Sequence, residues 1–449
     1  MASVFGVLLA LTLPALGGYD ESVHVLRAWQ VSDGGVFAIE RPGADGRTAF
    51  GGDIPDELIE DMIVIARGGF LAEDAEPFWR HLGRDAPDGP RSFVDFSSGA
   101  VYPPVPYLPS AIAMRAGRTL GVSTAGILLL GRLANLATFV ALVALAIRRI
   151  GSRRWLLAVL ALLPVVLFQA ATISADAITV ALVVLVIADA MALTTRSEDE
   201  ITRALLVECA LAVGALALAR PPYVAVAVVL LVPALRHRGR VLVTLASTLV
   251  VAALLAGAWS AWAADRHVPQ DFPPAYLDGS GNYAYRDVDP DAQFEYLRSH
   301  PFSLLSAIGH TVAREGDEIA SDVVAQTAWW EVPWWLVVAA AAAVVALACF
   351  DAAPRLDRAL RITAGVLVAG LVLVVFLLAY SGWNAVGAPR VDAFQGRYLF
   401  PAFALALLIC VPSRFANRST ADRLGPALVG GAAVLLTLLE IGVARFFYA

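Results

Sequence analysis

The chain has 449 residues, 59% hydrophobic and 16% charged, which excludes an ordinary soluble domain. The net charge of −6 says little by itself, because the charges are segregated by side, but no basic tract suits a nucleic-acid partner. All 33 basic residues are Arg, which excludes Schiff-base chemistry and a Walker-type phosphate Lys.

The apolar residues fall in runs of about 15–25, the length that spans a bilayer, so the expected fold is an all-α polytopic membrane protein. Residues 2–17 read as a retained first helix, since they lack a basic n-region and an A-x-A cleavage site. Gly18-Tyr19-Asp20-Glu21-Ser22-Val23-His24 follows. A helix running from Asp20 would place Asp20, His24 and Arg27 on one face. A carboxylate beside a cation suits a metal, a phosphate-bearing partner or a proton in transit. Asp and Glu at a helix start also suit plain capping at an interface. Two amphipathic helices are expected near 20–33 and 54–67. The Pro-rich start of 105–120 marks an interfacial or re-entrant piece.

Further spans are expected near 123–147, 154–173, 177–194, 202–219, 221–235, 241–263, 333–350, 362–380, 398–412 and 425–446, about eleven crossings with the first. The connections Arg148 to Arg154, Arg196 to Arg203, Arg236 to Arg240, Arg355 to Arg361 and Arg414 to Arg423 are short and basic, hence cytoplasmic by the positive-inside rule. The N-terminus is then cytoplasmic and the C-terminus extracytoplasmic. The whole of 1–449 reads as one integral membrane unit with two large extracytoplasmic loops, 18–104 and 264–332. The second loop is aromatic and acidic, with a helical stretch from Asp291 to Glu315, and closes on Trp329-Trp330-Glu331-Val332-Pro333-Trp334-Trp335. Those Trp suit an interface anchor or a platform for a sugar ring. A short third segment, Tyr380 to Asn384, leads to Gln395-Gly396-Arg397-Tyr398.

Asp20, Glu21, Asp176, Arg220 and Arg397 all map to one membrane face. Arg forks bind phosphate oxygens, and a carboxylate takes a proton from an attacking hydroxyl. Each residue taken alone also fits a snorkelling Arg or a capping Asp. Arg132, Asp189, Glu208 and Glu440 form a second set, buried in spans, which suits proton coupling or structural pairing. Cys209, Cys349 and Cys410 sit in apolar segments without metal or disulfide spacing. Asp278 to Asn282 reads as a turn rather than a calcium loop.

Tyr19-Asp20-Glu21 with His24, Tyr102 to Pro109, Gly131-Arg132-Leu133-Ala134-Asn135, Leu163-Pro164 to Asp176, Arg220-Pro221-Pro222-Tyr223, His300-Pro301, Trp330 to Pro333, and Gln395-Gly396-Arg397-Tyr398 with Pro401 run the length of the chain. In this order they resemble the bacterial membrane family called domain of unknown function 2142. That family in turn resembles the GT-C superfamily of glycosyltransferases. The resemblance implies a GT-C-like helical fold in the bacterial plasma membrane, a polyprenyl-phosphate sugar donor, and an envelope glycan, lipid or protein as acceptor. It implies Asp20 or Glu21 as catalytic base. Substrate contacts would come from His24, Arg27, Asp176, Arg220, Trp330, Gln395, Arg397 and Tyr398. A divalent metal, if the enzyme uses one, would lie on Asp20 and Asp176. A transporter or flippase for envelope lipids and a non-catalytic assembly subunit are the competing expectations.

Overall fold

The computed structural model describes residues 1–43, 48–70, 78–83, 85–266, 268, 283–327, 332–351, 356–412 and 418–448. The architecture is mostly helical, and every apolar run expected to cross the bilayer is largely helical. Among the described residues, five helices are long and apolar enough to do so: Thr124–Arg149, Ala175–Thr195, Gly239–Ala264, Arg358–Trp383 and Asp422–Tyr448. The other expected crossings are shorter or broken apolar helices, so by length and composition five of the expected eleven stand among the described residues. Ala2–Thr12 has 11 residues and Trp334–Phe350 has 17, against the roughly 20 needed to cross the hydrocarbon core.

The breaks have local causes. The run 154–173 splits into Arg154–Ala161 and Pro164–Ala170, because Pro164 lacks an N–H and fits only the first turn of a helix. Pro221 and Pro222 open a 3-10 segment, Pro221–Leu230, before the short helix Leu231–His237. Gly396–Leu399 is a 3-10 turn that passes into Phe400–Leu405 and then a π-helical turn, Ala406–Cys410.

Ala175–Thr195 is the axis of the bundle. It is apolar all round, and nearly every side chain in it is buried, as expected for a helix enclosed by others. Thr124–Arg149, Arg203–Ala217, Pro221–Leu230 and Phe400–Leu405 pack around it. Ser174 caps its start by accepting the Asp176 N–H at 3.1 Å.

The first large loop is not purely helical. It contains the expected helices as Glu21–Ser32 and Asp56–Phe70, and also a three-stranded antiparallel sheet. Its strands are β1 (Ile39–Pro42), β2 (Thr48–Pro55) and β3 (Arg91–Asp95), with β2 central. Gly51 faces Ile39 and Asp95 in the register. A Cβ there would lie 1.8 Å from the Val94 carbonyl oxygen, so only glycine fits. The Leu108–Thr119 helix packs on Glu21–Ser32 and Thr124–Arg149 and leaves Leu108 and Ile112 exposed. In the second loop the expected helix from Asp291 divides at His300-Pro301 into Pro290–Ser299 and Ser303–Ala325.

The two ends of the bundle differ. One carries the two large loops. At the other, Arg154 pairs with Asp422 at 2.9 Å, Arg149 with Glu208, and Arg236 with Asp357. Asp189 lies buried beside Cys209, with neither carboxylate oxygen hydrogen-bonded among the described residues.

Candidate functional site

The site begins with a buried clamp. The first helix ends at Thr12, which leaves carbonyls without helical partners. Arg132 donates to three of the carbonyls there, Ala10 (3.0 Å), Leu13 (2.9 Å) and Pro14 (2.7 Å). Its Nε and Nη2 also donate to Glu21 Oε1 (2.8 Å) and Oε2 (2.6 Å). Glu21 accepts two further bonds, from the Gly18 N–H (2.9 Å) and the Ile173 N–H (3.0 Å). Both of its oxygens are engaged in a side chain that is only 1% exposed.

The clamp delivers the neighbouring acid to the surface. Asp20 is the N-cap residue of Glu21–Ser32, yet its side chain makes no capping bond and its backbone is left-handed, with φ +49°. An Asp tolerates that conformation better than most residues. Its carboxylate is 65% exposed and lies 3.8 Å from Arg397 Nη2. Since Asp20 is not helical, it leaves the face that the spacing predicts for Asp20, His24 and Arg27. Arg27 leaves the cluster too. It is fully buried and donates to the carbonyls of Tyr102 (3.0 Å) and Val36 (2.7 Å) and to the Gln30 amide oxygen, holding the loop rather than facing a ligand.

Three polar residues from distant parts of the chain meet beside Asp20. Asp176 comes from the first turn of Ala175–Thr195, Arg220 precedes the 3-10 segment, and Arg397 lies in the Gly396–Leu399 turn. Arg220 forms a close ion pair with Asp176 and donates to the Tyr102 hydroxyl at 3.0 Å. The Arg397 Nε is 3.6 Å from Asp176 Oδ2, a charge contact too long for a hydrogen bond. Both guanidiniums lie against tyrosines. Arg220 sits over Tyr102 (5.1 Å) and Tyr398 (5.2 Å), and Arg397 over Tyr19 (3.7 Å) and Tyr398 (5.1 Å). The Tyr19 hydroxyl is tied to the Thr327 carbonyl at 2.5 Å, and the Tyr223 hydroxyl to the Tyr398 carbonyl at 2.8 Å.

His24 lies beneath this layer, with Nδ1 2.7 Å from the Tyr107 hydroxyl. Burial pushes its pKa down to about 4, against the pull of Asp176 and Asp20, so the imidazole is neutral near pH 7. The second loop reaches the site through Tyr285 and Asp322. Burial raises the Tyr285 phenol, which also feels Tyr398, Asp20 and Arg397. Asp322 accepts the Gly396 N–H at 3.0 Å. Burial pushes its carboxyl up to about 6 in spite of that bond. A Cβ on Gly396 would lie 2.2 Å from the Ile319 carbonyl oxygen, so glycine lets the Ser303–Ala325 helix rest on the Arg397 turn.

The structure therefore brings Asp20, His24, Asp176, Arg220, Arg397 and Tyr398 together. Gln395 sits one turn away, with a buried amide oxygen that has no partner among the described residues. Trp330 lies outside the described residues. Tyr19 and Tyr102 belong to the cluster without having been candidates for it, and Tyr285 joins it from the aromatic second loop. Tyr19 and Tyr102 stand in the sequence segments already noted, and their only signal was that position. Asp20 and Asp176 do not suit a divalent cation. Arg397 lies against both acids and Arg220 binds Asp176, so positive charge already occupies the space a metal would need. Among the described residues, no cluster of three or more metal-ligating side chains occurs anywhere.

A family model described as a predicted membrane protein, DUF2142, matches residues 4–407. No curated protein and no solved structure matches the chain.

Proposed function

Since the chain belongs to the DUF2142 family of predicted membrane proteins, we propose that its loop-bearing end transfers a sugar from a polyprenyl-phosphate donor to an envelope acceptor. The observation that carries this reading is the division between the two adjacent acids. Glu21 is consumed by the Arg132 clamp, whereas Asp20 is held exposed beside the Arg397 guanidinium, with the Arg220–Asp176 pair on the other side of Arg397. An open carboxylate next to phosphate-binding forks is what proton removal and leaving-group stabilisation need.

In this mechanism Asp20 accepts the proton of the acceptor hydroxyl. The hydroxyl oxygen bonds to the anomeric carbon as the bond from that carbon to the phosphate oxygen breaks. The lipid phosphate departs as an anion held by Arg397 and Arg220. Inversion at the anomeric carbon follows from a single displacement. Tyr285 of the second loop supplies a ring face for the sugar, Tyr19, Tyr102 and Tyr398 hold the two guanidiniums in place, and neutral His24 orients Tyr107 beneath them. By the positive-inside rule the Arg-rich end faces the cytoplasm, which puts transfer on the extracytoplasmic side. The GT-C resemblance supports the donor class.

A second reading, proton-coupled lipid transport, draws on one observation, the carboxylate of Asp189, buried beside Cys209 and without a hydrogen bond among the described residues. Purified protein in nanodiscs, incubated with a panel of polyprenyl-phosphate hexoses and envelope acceptors, separates the two. Transfer predicts release of free polyprenyl phosphate, abolished in Asp20→Asn and retained in Asp189→Asn. No release by the unaltered protein refutes the transferase, and release lost in Asp189→Asn but kept in Asp20→Asn refutes Asp20 as the base.

A further inference from the structure

Below Arg397 the bundle contains a polar side chain with no visible task. Gln169, on Pro164–Ala170, is 4% exposed, and neither atom of its amide has a hydrogen-bond partner among the described residues. A buried amide left unpaired costs about 1–3 kcal/mol, so native structures rarely keep one without a use. The Nε and Nη1 of Arg397 are likewise buried and without a hydrogen bond among the described residues, and the one bond of this guanidinium goes to the Tyr398 hydroxyl at 3.3 Å. Arg397, Gln169 and Asp176 line a single cavity of about 20 Å³, walled otherwise by aliphatic side chains such as Val165 and Val166 and by Phe400.

That volume holds one oxygen-sized group and no more. Its polar lining offers N–H donors from Arg397 and an amide donor from Gln169. The carboxylate of Asp176 is the one acid on the wall, and Arg220 neutralises it. The backbone at Gln169 is held in place, since its main-chain carbonyl accepts from the Asn135 amide at 3.4 Å and from the Thr172 hydroxyl at 3.3 Å.

We propose that Gln169 and the N–H groups of Arg397 that lack hydrogen bonds among the described residues form a notch that takes one oxygen of a phosphate group. This rests on the reading of Arg397 as a phosphate ligand and adds Gln169 as the residue that fixes the depth and orientation of that phosphate. A phosphate can leave one oxygen in the notch while its others face Arg220 and the open side near Asp20. A planar carboxylate has only two oxygens and satisfies one side or the other.

The test uses the full chain in nanodiscs, with binding followed by phosphorus NMR titration. The probes are inorganic phosphate and farnesyl phosphate. The variants are Gln169→Leu, Gln169→Glu, which keeps the shape but replaces the amide donor by a carboxyl, and Arg397→Gln. Hydrogen bonds to a charged group predict a loss of affinity of about ten- to a hundredfold in both Gln169 variants. A Gln169→Glu protein that stays folded and binds weakly supports the notch even if Gln169→Leu fails to fold. Tighter binding of farnesyl phosphate than of inorganic phosphate names a lipid as the source, and the reverse names free phosphate. Unchanged affinity in folded Gln169→Glu, with binding lost in Arg397→Gln, overturns the notch alone and leaves the cavity to an ordered water. Failure of the unaltered protein to bind either probe overturns both the notch and the phosphate role of Arg397.

Discussion

Replacing Glu21 by Gln tests the division between the two acids most sharply through stability. The substitution preserves shape but puts a neutral amide against the buried Arg132 guanidinium, in a pair whose side chains are each 1% exposed. Removing one partner of a buried ion pair leaves the other charge uncompensated, at a cost of about 3–5 kcal/mol. Arg132 retains its three backbone carbonyls, which places the expected loss near the lower end, about 3 kcal/mol. The adjacent substitution Asp20→Asn changes a side chain that is 65% exposed and caps nothing, so it should move stability by no more than about 0.5 kcal/mol. Arg132→Met should cost more than Glu21→Gln, because it also orphans the carbonyls of Ala10, Leu13 and Pro14. The assay is unfolding of the three variants in mixed micelles by titrated denaturing detergent, followed by tryptophan fluorescence. Equal losses for Asp20→Asn and Glu21→Gln would refute the assignment of a structural role to one acid and an open role to the other.

Three further outcomes follow from the geometry. The folded state holds His24 neutral with a pKa of about 4, whereas an unfolded chain takes up its proton near pH 6.5. The unfolded state therefore binds more protons between those values, and stability falls as the pH drops through that window, by about 2–3 kcal/mol near pH 4.5. His24→Gln should flatten that part of the stability profile, and an unchanged slope would contradict the burial argument. Gly396→Ala drives a methyl group into backbone of the Ser303–Ala325 helix and should cost about 1–3 kcal/mol. Hydrogen exchange should rise along Ser303–Ala325, and unchanged protection there would count against the docking. Arg220→Lys keeps the charge but loses the fork that reaches Asp176 and Tyr102 together. It should weaken phosphate binding about tenfold or more while leaving the fold intact, and unaltered binding would remove Arg220 from the site.

Much of the helical layout was legible because apolar runs bounded by Arg leave a strong signal. Its finer features were not. Pro164 could be read as a helix start or as a kink within one span, and the choice depends on what packs around it. The sheet was hidden because β1 and β3 have only 4 and 5 residues and β2 carries Gly51 and Gly52 where an alternating pattern would need side chains. Asp20, Asp176, Arg220 and Arg397 could be grouped from sequence by the side of the membrane they face. Asp20 and Glu21 could not be told apart, since the partner that engages Glu21 is Arg132, 111 residues away. Arg27 was misplaced for a related reason. Helical spacing assumes that the helix already includes Asp20, and the left-handed backbone there breaks the face. Gln169 gave no signal, because a single amide in an apolar run looks the same whether or not it has a partner.

The most direct test of the account is the envelope glycan profile, by mass spectrometry, of cells deleted for this gene and complemented with either the unaltered chain or Asp20→Asn at equal membrane levels. The account predicts that one defined glycan disappears on deletion, returns with the unaltered chain and stays absent with Asp20→Asn. Full restoration by Asp20→Asn would contradict it.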